Sequence, residues 1–263
     1  MSLQDYINDS SALLWDYGLN FTPQKQLIRF INEMRLVCAQ ESGCIRRHLA
    51  GQSAYGAGAQ PGSLIPGGAQ PGQLPGSFPN AQFSATKNTF QTINGLERYP
   101  FRGFANPYLK QTYAGCEAII DVSQVSVSWG GSPLPSLAWL PWSDLQAYAR
   151  AYFNLVTSYP YYWSVLADGE EGEIWLYPVP QQPMDMEWDV YCAPTPLNTN
   201  DDFDAIPLGL RSSIKFGAVS LALTGKQRYA DAEYLNNVFM RRVLTGVSAR
   251  DRGKVPNYYW EAP

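Results

Sequence analysis

Histidine occurs once in this 263-residue chain, and cysteine only four times. Charged side chains make up 16 %, against a typical value of about 25 %. Each shortage closes a class of function. With His48 alone there can be no HExxH zinc site. No GxSxG elbow occurs, and no Ser/His/Asp set can be assembled from the motifs present. Cys38, Cys44, Cys116 and Cys192 form neither a CxxC pair nor a regular framework, so reduced thiols are expected. No apolar run approaches the roughly 20 residues that span a bilayer. The opening "MSLQDYINDS" lacks a basic region followed by an apolar one, so no secretory leader is expected. A net charge of −4 and a pI near 5.1 argue against a tight grip on nucleic acid, which needs a basic footprint.

Aromatic residues, by contrast, reach 14 %. A surface poor in charge and rich in Tyr and Trp suits burial against other protein chains. The aromatics Tyr159, Tyr161, Tyr162 and Trp163 fit core or interface burial better than the stacking of sugars or bases.

The pattern along the chain predicts an α+β protein. Residues 1–22 read as a peripheral arm with a short helical turn near Ala12. Thr22 as cap and Pro23 at the first helical position open a helix over 23–48. It carries Leu27, Ile31, Met34 and Cys38 on one face, with Arg46, Arg47 and His48 at its negative end. Residues 48–86 contain no Asp, Glu, Lys or Arg, and "AQPG" appears at 59–62 and again at 69–72. Such a composition builds no core of its own. The 49–87 loop is therefore either a surface loop or a segment ordered across a neighbouring subunit through Leu64, Leu74 and Phe78.

A β-rich region is expected over 88–204. Val125, Val127 and Trp129 alternate in one strand, and Met184, Met186, Trp188, Val190 and Cys192 share one face of another. The stretch 173–177 reads as the hairpin partner of that second strand, and "YYWSVLADGEEGEIWLYP" as strand, turn and strand. "PWSDLQAYARAYF" switches to helical spacing, with Ser143 as cap and Gln146 in the capping-box position. Over 205–246, Leu210, Ile214, Ala218 and Leu221 form one stripe, and Ala232, Leu235, Phe239 and Val243 another. With Gly225 between them, this is either one helix with a weak point or a helical hairpin. Residues 247–263 read as an extended tail, basic at Arg250, Arg252 and Lys254, then aromatic at Tyr258, Tyr259 and Trp260.

Candidate chemistry is thin. Gly225 and Lys226 do not make a phosphate loop, because Ser220 stands where the leading Gly is needed. Cys44 and His48 would share a helix face but lack the ligands of a zinc site. Asp201, Asp202 and Asp204 precede a helix, where acids complement its positive end. No catalytic residues, metal or cofactor are expected.

The segment "YYWSVLADGEEGEIWLYPVPQQPMDMEWDVYCAPTPL" is followed by "DDFDAIPLGLRSSIKFGAVSLALTGKQRYADAEYLNNVFMRRVL". This order resembles the head–tail adaptor (connector) proteins of short-tailed bacteriophages. They share a strand, an "LYP.P" turn, a strand, a "Y..P..L" run, an acidic loop, "IP" and a long Ala-rich helix. The likeness covers roughly 22–48 and 88–245. Two departures are the long uncharged 49–87 link and the Trp- and Pro-rich run from 129 to 142. The resemblance implies a helical domain, formed by the N-terminal helix and long C-terminal helices, with an inserted antiparallel β-domain and an extended tail. It implies a non-enzymatic virion protein, assembled in the host cytoplasm as a dodecameric ring beneath the portal protein. Leu210, Ile214, Leu221, Leu235 and Phe239 would then pack within or between subunits, and the 247–263 tail would reach the portal. A tail nozzle, fibre or spike would dock below, and double-stranded DNA would pass through the lumen without specific binding. The alternatives are a carbohydrate-binding or glycan-cleaving tail module, or another tail-tube or baseplate protein.

Overall fold

A computed structural model describes residues 2–16, 20, 22–50, 90–128, 136–152, 159–167 and 169–251. The protein is α+β, with two compact units. Met1–Arg47, Leu109–Asp121 and Tyr191–Pro263 form the first, His48–Tyr108 and Val122–Val190 the second. Among the described residues, no helix is long and apolar enough to cross a membrane.

The first unit begins with a helix where an arm was expected. Helix α1 spans Leu3–Leu14. Ser2 and Asp5 close a capping box, the Ser2 hydroxyl accepting from the Asp5 N–H and the Asp5 carboxylate from the Ser2 N–H. Leu3, Tyr6 and Ile7 are buried by the unit. Helix α2, Gln24–Ser42, begins after Pro23 and buries Leu27, Ile31, Met34 and Cys38 as their spacing predicts. Thr22 does not cap it; its hydroxyl is buried without a partner among the described residues.

The helix predicted to reach residue 48 stops at Gly43. That residue has φ +52°, a left-handed conformation that favours Gly, and an added Cβ would stand 3.1 Å from the Tyr191 ring. Arg46, Arg47 and His48 therefore belong to a strand, β1, Arg46–Ala50, and not to a helix terminus.

Residues 205–246 resolve into two helices, α5 over Leu208–Gly225 and α6 over Tyr229–Asp251, parted at 226–228, where Gln227 has φ +60°. α5 is apolar on most of its circumference and sits centrally, with Leu210, Ile214, Gly217, Ala218, Val219, Ala222 and Leu223 buried. Gly217 is where α2 approaches: an added Cβ would collide with Met34. α6 contributes Ala232, Phe239 and Val243 to the core. Its last turn takes in part of the expected tail, through Asp251.

The second unit is built on aromatic packing. Trp188 is fully buried, edge-on to Phe90 at 4.9 Å and near Phe101 and Phe104. Its strand, β7, spans Asp185–Pro194. Met184, Met186, Trp188, Val190 and Cys192 are all buried, and the intervening side chains are half-buried, as strict alternation requires.

Before β7 come β2 (Arg98–Pro100), a π-helical turn (Phe101–Ala105), α3 (Asn106–Thr112), β3 (Cys116–Ser128) and β4 (Ala138–Trp139). They are followed by α4 (Trp142–Ala151), β5 (Tyr162–Leu166) and β6 (Glu173–Tyr177). One sheet has the order β1-β7-β3, the other β2-β6-β5-β4. The expected pairing of β6 with β7 is thus wrong. β6 pairs antiparallel with β5, Tyr162 opposite Tyr177 and Leu166 opposite Glu173, and on its other edge with β2. The prolines after β6 carry the chain to the other sheet and not into a hairpin. α4 starts after Pro141, so Ser143 lies inside its first turn and is not its cap. Val125 and Val127 are buried as expected, while Trp129 lies outside the described residues.

Candidate functional site

The residues singled out in the sequence fall into three groups. Leu210, Ile214 and Phe239 are buried in the first unit; Leu221 and Leu235 are only half-buried, Leu235 packing beside Val219, Leu223 and Ala232. Leu64, Leu74 and Phe78 lie outside the described residues, as do Arg252, Lys254, Tyr258, Tyr259 and Trp260. Arg250 lies within α6, in its last turn.

A buried polar cluster that the sequence reading missed lies between α1, α2 and the start of α5. Asp204 was expected to complement the positive end of the helix that follows it. Its carboxylate instead accepts from the Tyr6 hydroxyl at 2.6 Å, the Arg35 guanidinium at 2.8 Å and the Ile206 N–H at 3.2 Å. The Arg211 guanidinium is 3.4 Å from the same oxygen that accepts from Tyr6. Arg35, fully buried, also donates to the Thr195 carbonyl and to Asn32. Burial and the neighbouring Asp204 carboxylate push the Tyr6 hydroxyl well above its ordinary value. This cluster fastens the 195–206 loop to two helices, and its acceptors are occupied by the protein's own donors. The available signal was an Arg on the apolar side of α2: Arg35 follows Met34 by one residue and precedes Cys38 by three.

Two thiol pairs accompany it. Cys116 is held below its ordinary value, to about 6, by a hydrogen bond from Cys192 and by the Arg47 guanidinium. Cys192 is pushed up by the same thiol contact and by burial. Cys38 is pushed up by its contact with Cys44 and by burial. None of the four cysteines is in a disulfide.

His48 lies on β1, so it shares no helix face with Cys44. Its Nδ1 is 2.8 Å from Asp189, and its Nε2 is 4.0 Å from Glu187. Ser123, on β3, donates to the Asp189 carbonyl at 3.1 Å. The strand order β1-β7-β3 therefore puts Asp189 between Ser123 and His48. A hydrolytic relay needs the His in the middle, beside the nucleophile. Among the described residues, no group of three His, Cys, Asp or Glu is placed to hold a metal ion.

A sugar platform fares no better. Trp142 and Trp175 meet edge to face at 4.3 Å beside Glu97, but the cleft they line has a volume of about 50 Å³. That is room for water, not a pyranose. The face of Trp175 is already covered by the Arg98 guanidinium, 3.8 Å from the ring centre.

Exposed apolar side chains are the remaining feature. On the first unit they include Trp15 (84 % exposed), Leu208 (76 %), Tyr234 (68 %) and Leu244 (56 %), with Phe203 and Tyr229. An open groove of about 620 Å³ runs between α5 and α6, lined by Gly209, Ser212, Val238, Arg241, Arg242, Thr245 and Gly246. No protein-family model matches the chain, and no curated protein is similar to it in sequence.

Proposed function

We propose that the chain is a structural, non-enzymatic subunit of a tailed-phage virion: a head–tail adaptor that assembles into a dodecameric ring under the portal protein. The observation that carries this reading is the set of large apolar side chains left in water by the first unit, Trp15, Leu208, Tyr229, Tyr234 and Leu244. Isolated exposed apolar residues are ordinary, but several large ones on one small helical unit mark a protein–protein contact. Aromatic residues are the ones enriched in such contacts.

The order of elements supports the same reading. α1 and α2 come from the start of the chain, α5 and α6 from its end, and most of the β-structure lies between them. That order agrees with the helical domain and inserted β-domain that the adaptor resemblance implies. In that assembly the C-terminal segment is expected to reach the portal, and a tail nozzle or fibre to dock on the opposite side. The acidic balance suits a lumen that DNA must traverse without being held.

Native mass spectrometry and negative-stain imaging of the full chain, with and without purified portal, test the proposal. A closed ring on the portal is expected. A chain that stays monomeric with portal at micromolar concentration refutes it.

A further inference from the structure

We infer that Trp15 of one copy inserts into the α5–α6 groove of the next, making the head-to-tail contact that closes the ring. This contact presupposes the ring proposed above and specifies how it is held.

Two features of the protomer point to it. The first is Trp15 itself. It ends α1 in a left-handed conformation (φ 55°), where Gly or Asn is the usual residue. The turn has a purpose within the protomer: Asp16, next in the chain, is buried and accepts from the Asn20 and Thr22 N–H groups. The indole itself is left in solvent. It is the most exposed large apolar side chain described, and it stands at the rim of a depression with Asp9, Ala12, Leu13 and Lys215, where Lys215 and Asp9 are ion-paired.

The second feature is the groove. Small residues, Gly209 and Ser212, leave it open, and Val238 supplies an apolar wall. At Gly246 the helices close to contact, since an added Cβ would meet Leu210 at 2.5 Å. At Gly209 an added Cβ would meet nothing within 4 Å. Arg241 and Arg242 stand along the groove, and Arg242 already lies over the Phe216 ring at 4.4 Å. A cation beside an apolar slot complements the electron-rich face of an indole, and Trp is the best such partner. The chain therefore carries a protruding aromatic and a slot of matching chemistry. The linings of the two share no residue. Two different patches that fit each other make a heterologous contact, and such contacts close into rings when the rotation allows.

The test uses the full chain. An Ala12→Cys/Thr245→Cys double variant, which keeps Trp15 and places one thiol beside it and the other in the groove, is treated with a short bis-maleimide at the concentration where wild type assembles. A ladder of covalent multimers is expected from the double variant and not from wild type or either single variant. In parallel, Trp15→Ala and Gly209→Phe should each raise the assembling concentration at least tenfold while leaving the monomer's melting transition in place. A wild-type ring with no ladder, or a Trp15→Ala variant that assembles like wild type, overturns this contact and leaves the ring standing. If Gly209→Phe blocks assembly and Trp15→Ala does not, the groove receives another segment, such as residues 252–263, and the Trp15 assignment falls. A wild-type chain that forms no ring with or without portal removes the adaptor reading itself.

Discussion

Replacing Asp204 by Ala isolates the buried cluster that joins α1, α2 and the 195–206 loop. In wild type the Arg35 guanidinium is fully buried, and among the described residues its carboxylate partner is Asp204 at 2.8 Å. Asp204→Ala leaves a buried cation with, among the described residues, the Thr195 carbonyl and Asn32 as acceptors, and strands the Tyr6 hydroxyl. Removing one partner of a buried pair costs about 3–5 kcal/mol. That is a large part of the roughly 5–15 kcal/mol available to a domain, and it lowers a melting midpoint by roughly 10 °C. The pair itself is another matter, because its attraction is set against the desolvation of both ions. Arg35→Met/Asp204→Leu should therefore cost less than Asp204→Ala. Adding Tyr6→Phe should recover a further 1–3 kcal/mol or so, by removing a hydroxyl left without an acceptor. Urea unfolding followed by far-UV circular dichroism gives all of these values. If Asp204→Ala costs under about 1 kcal/mol, or the triple variant is as unstable as that single one, the cluster does not bear on stability as argued.

The other expectations concern packing and thiols. Phe239→Ala should cost about 3–5 kcal/mol, whereas half-buried Leu221→Ala should cost about 1 kcal/mol; equal losses in urea titrations would contradict the difference in burial. Gly172→Ala would press a methyl into the Phe101 ring and should destabilise the second unit by about 1–3 kcal/mol, read from the near-UV signal of its aromatic cluster. The lowered Cys116 thiol contributes stability that is present above its ordinary value near 9 and is lost as pH falls toward about 6. Between those limits wild type should lose more stability on acidification than Cys116→Ser, and parallel pH profiles of the urea midpoint would rule out a thiolate there.

Much of the local structure was legible in the residues. The alternation from Met184 to Cys192 placed a buried face before any contact was known, because strand side chains point to opposite sides wherever the strand lies. The Leu27, Ile31, Met34 and Cys38 stripe did the same for α2, and the acidic turn between β5 and β6 marked a true hairpin. These signals are short-range and survive any tertiary arrangement.

What failed depended on partners distant in sequence. β6 and β7 are neighbours along the chain, yet β6 joins β2 and β5 while β7 joins β1 and β3, and no periodicity encodes which edge a strand will find. The end of α2 at Gly43 hinged on a left-handed residue facing Tyr191, nearly 150 positions onward. Asp204 looked like an acid at a helix start until the fold set Arg35 and Tyr6 around it. A carboxylate's meaning is set by its surroundings: in water it is a solvated charge, and beside a buried guanidinium it is the partner that makes burial possible. By itself the sequence determined the α+β class and the apolar faces. The tertiary structure alone decided the sheet partners and the ion cluster. It also decided that Trp15 and the α5–α6 groove both face solvent, because burial is a property of the whole chain's packing and not of any one residue's identity.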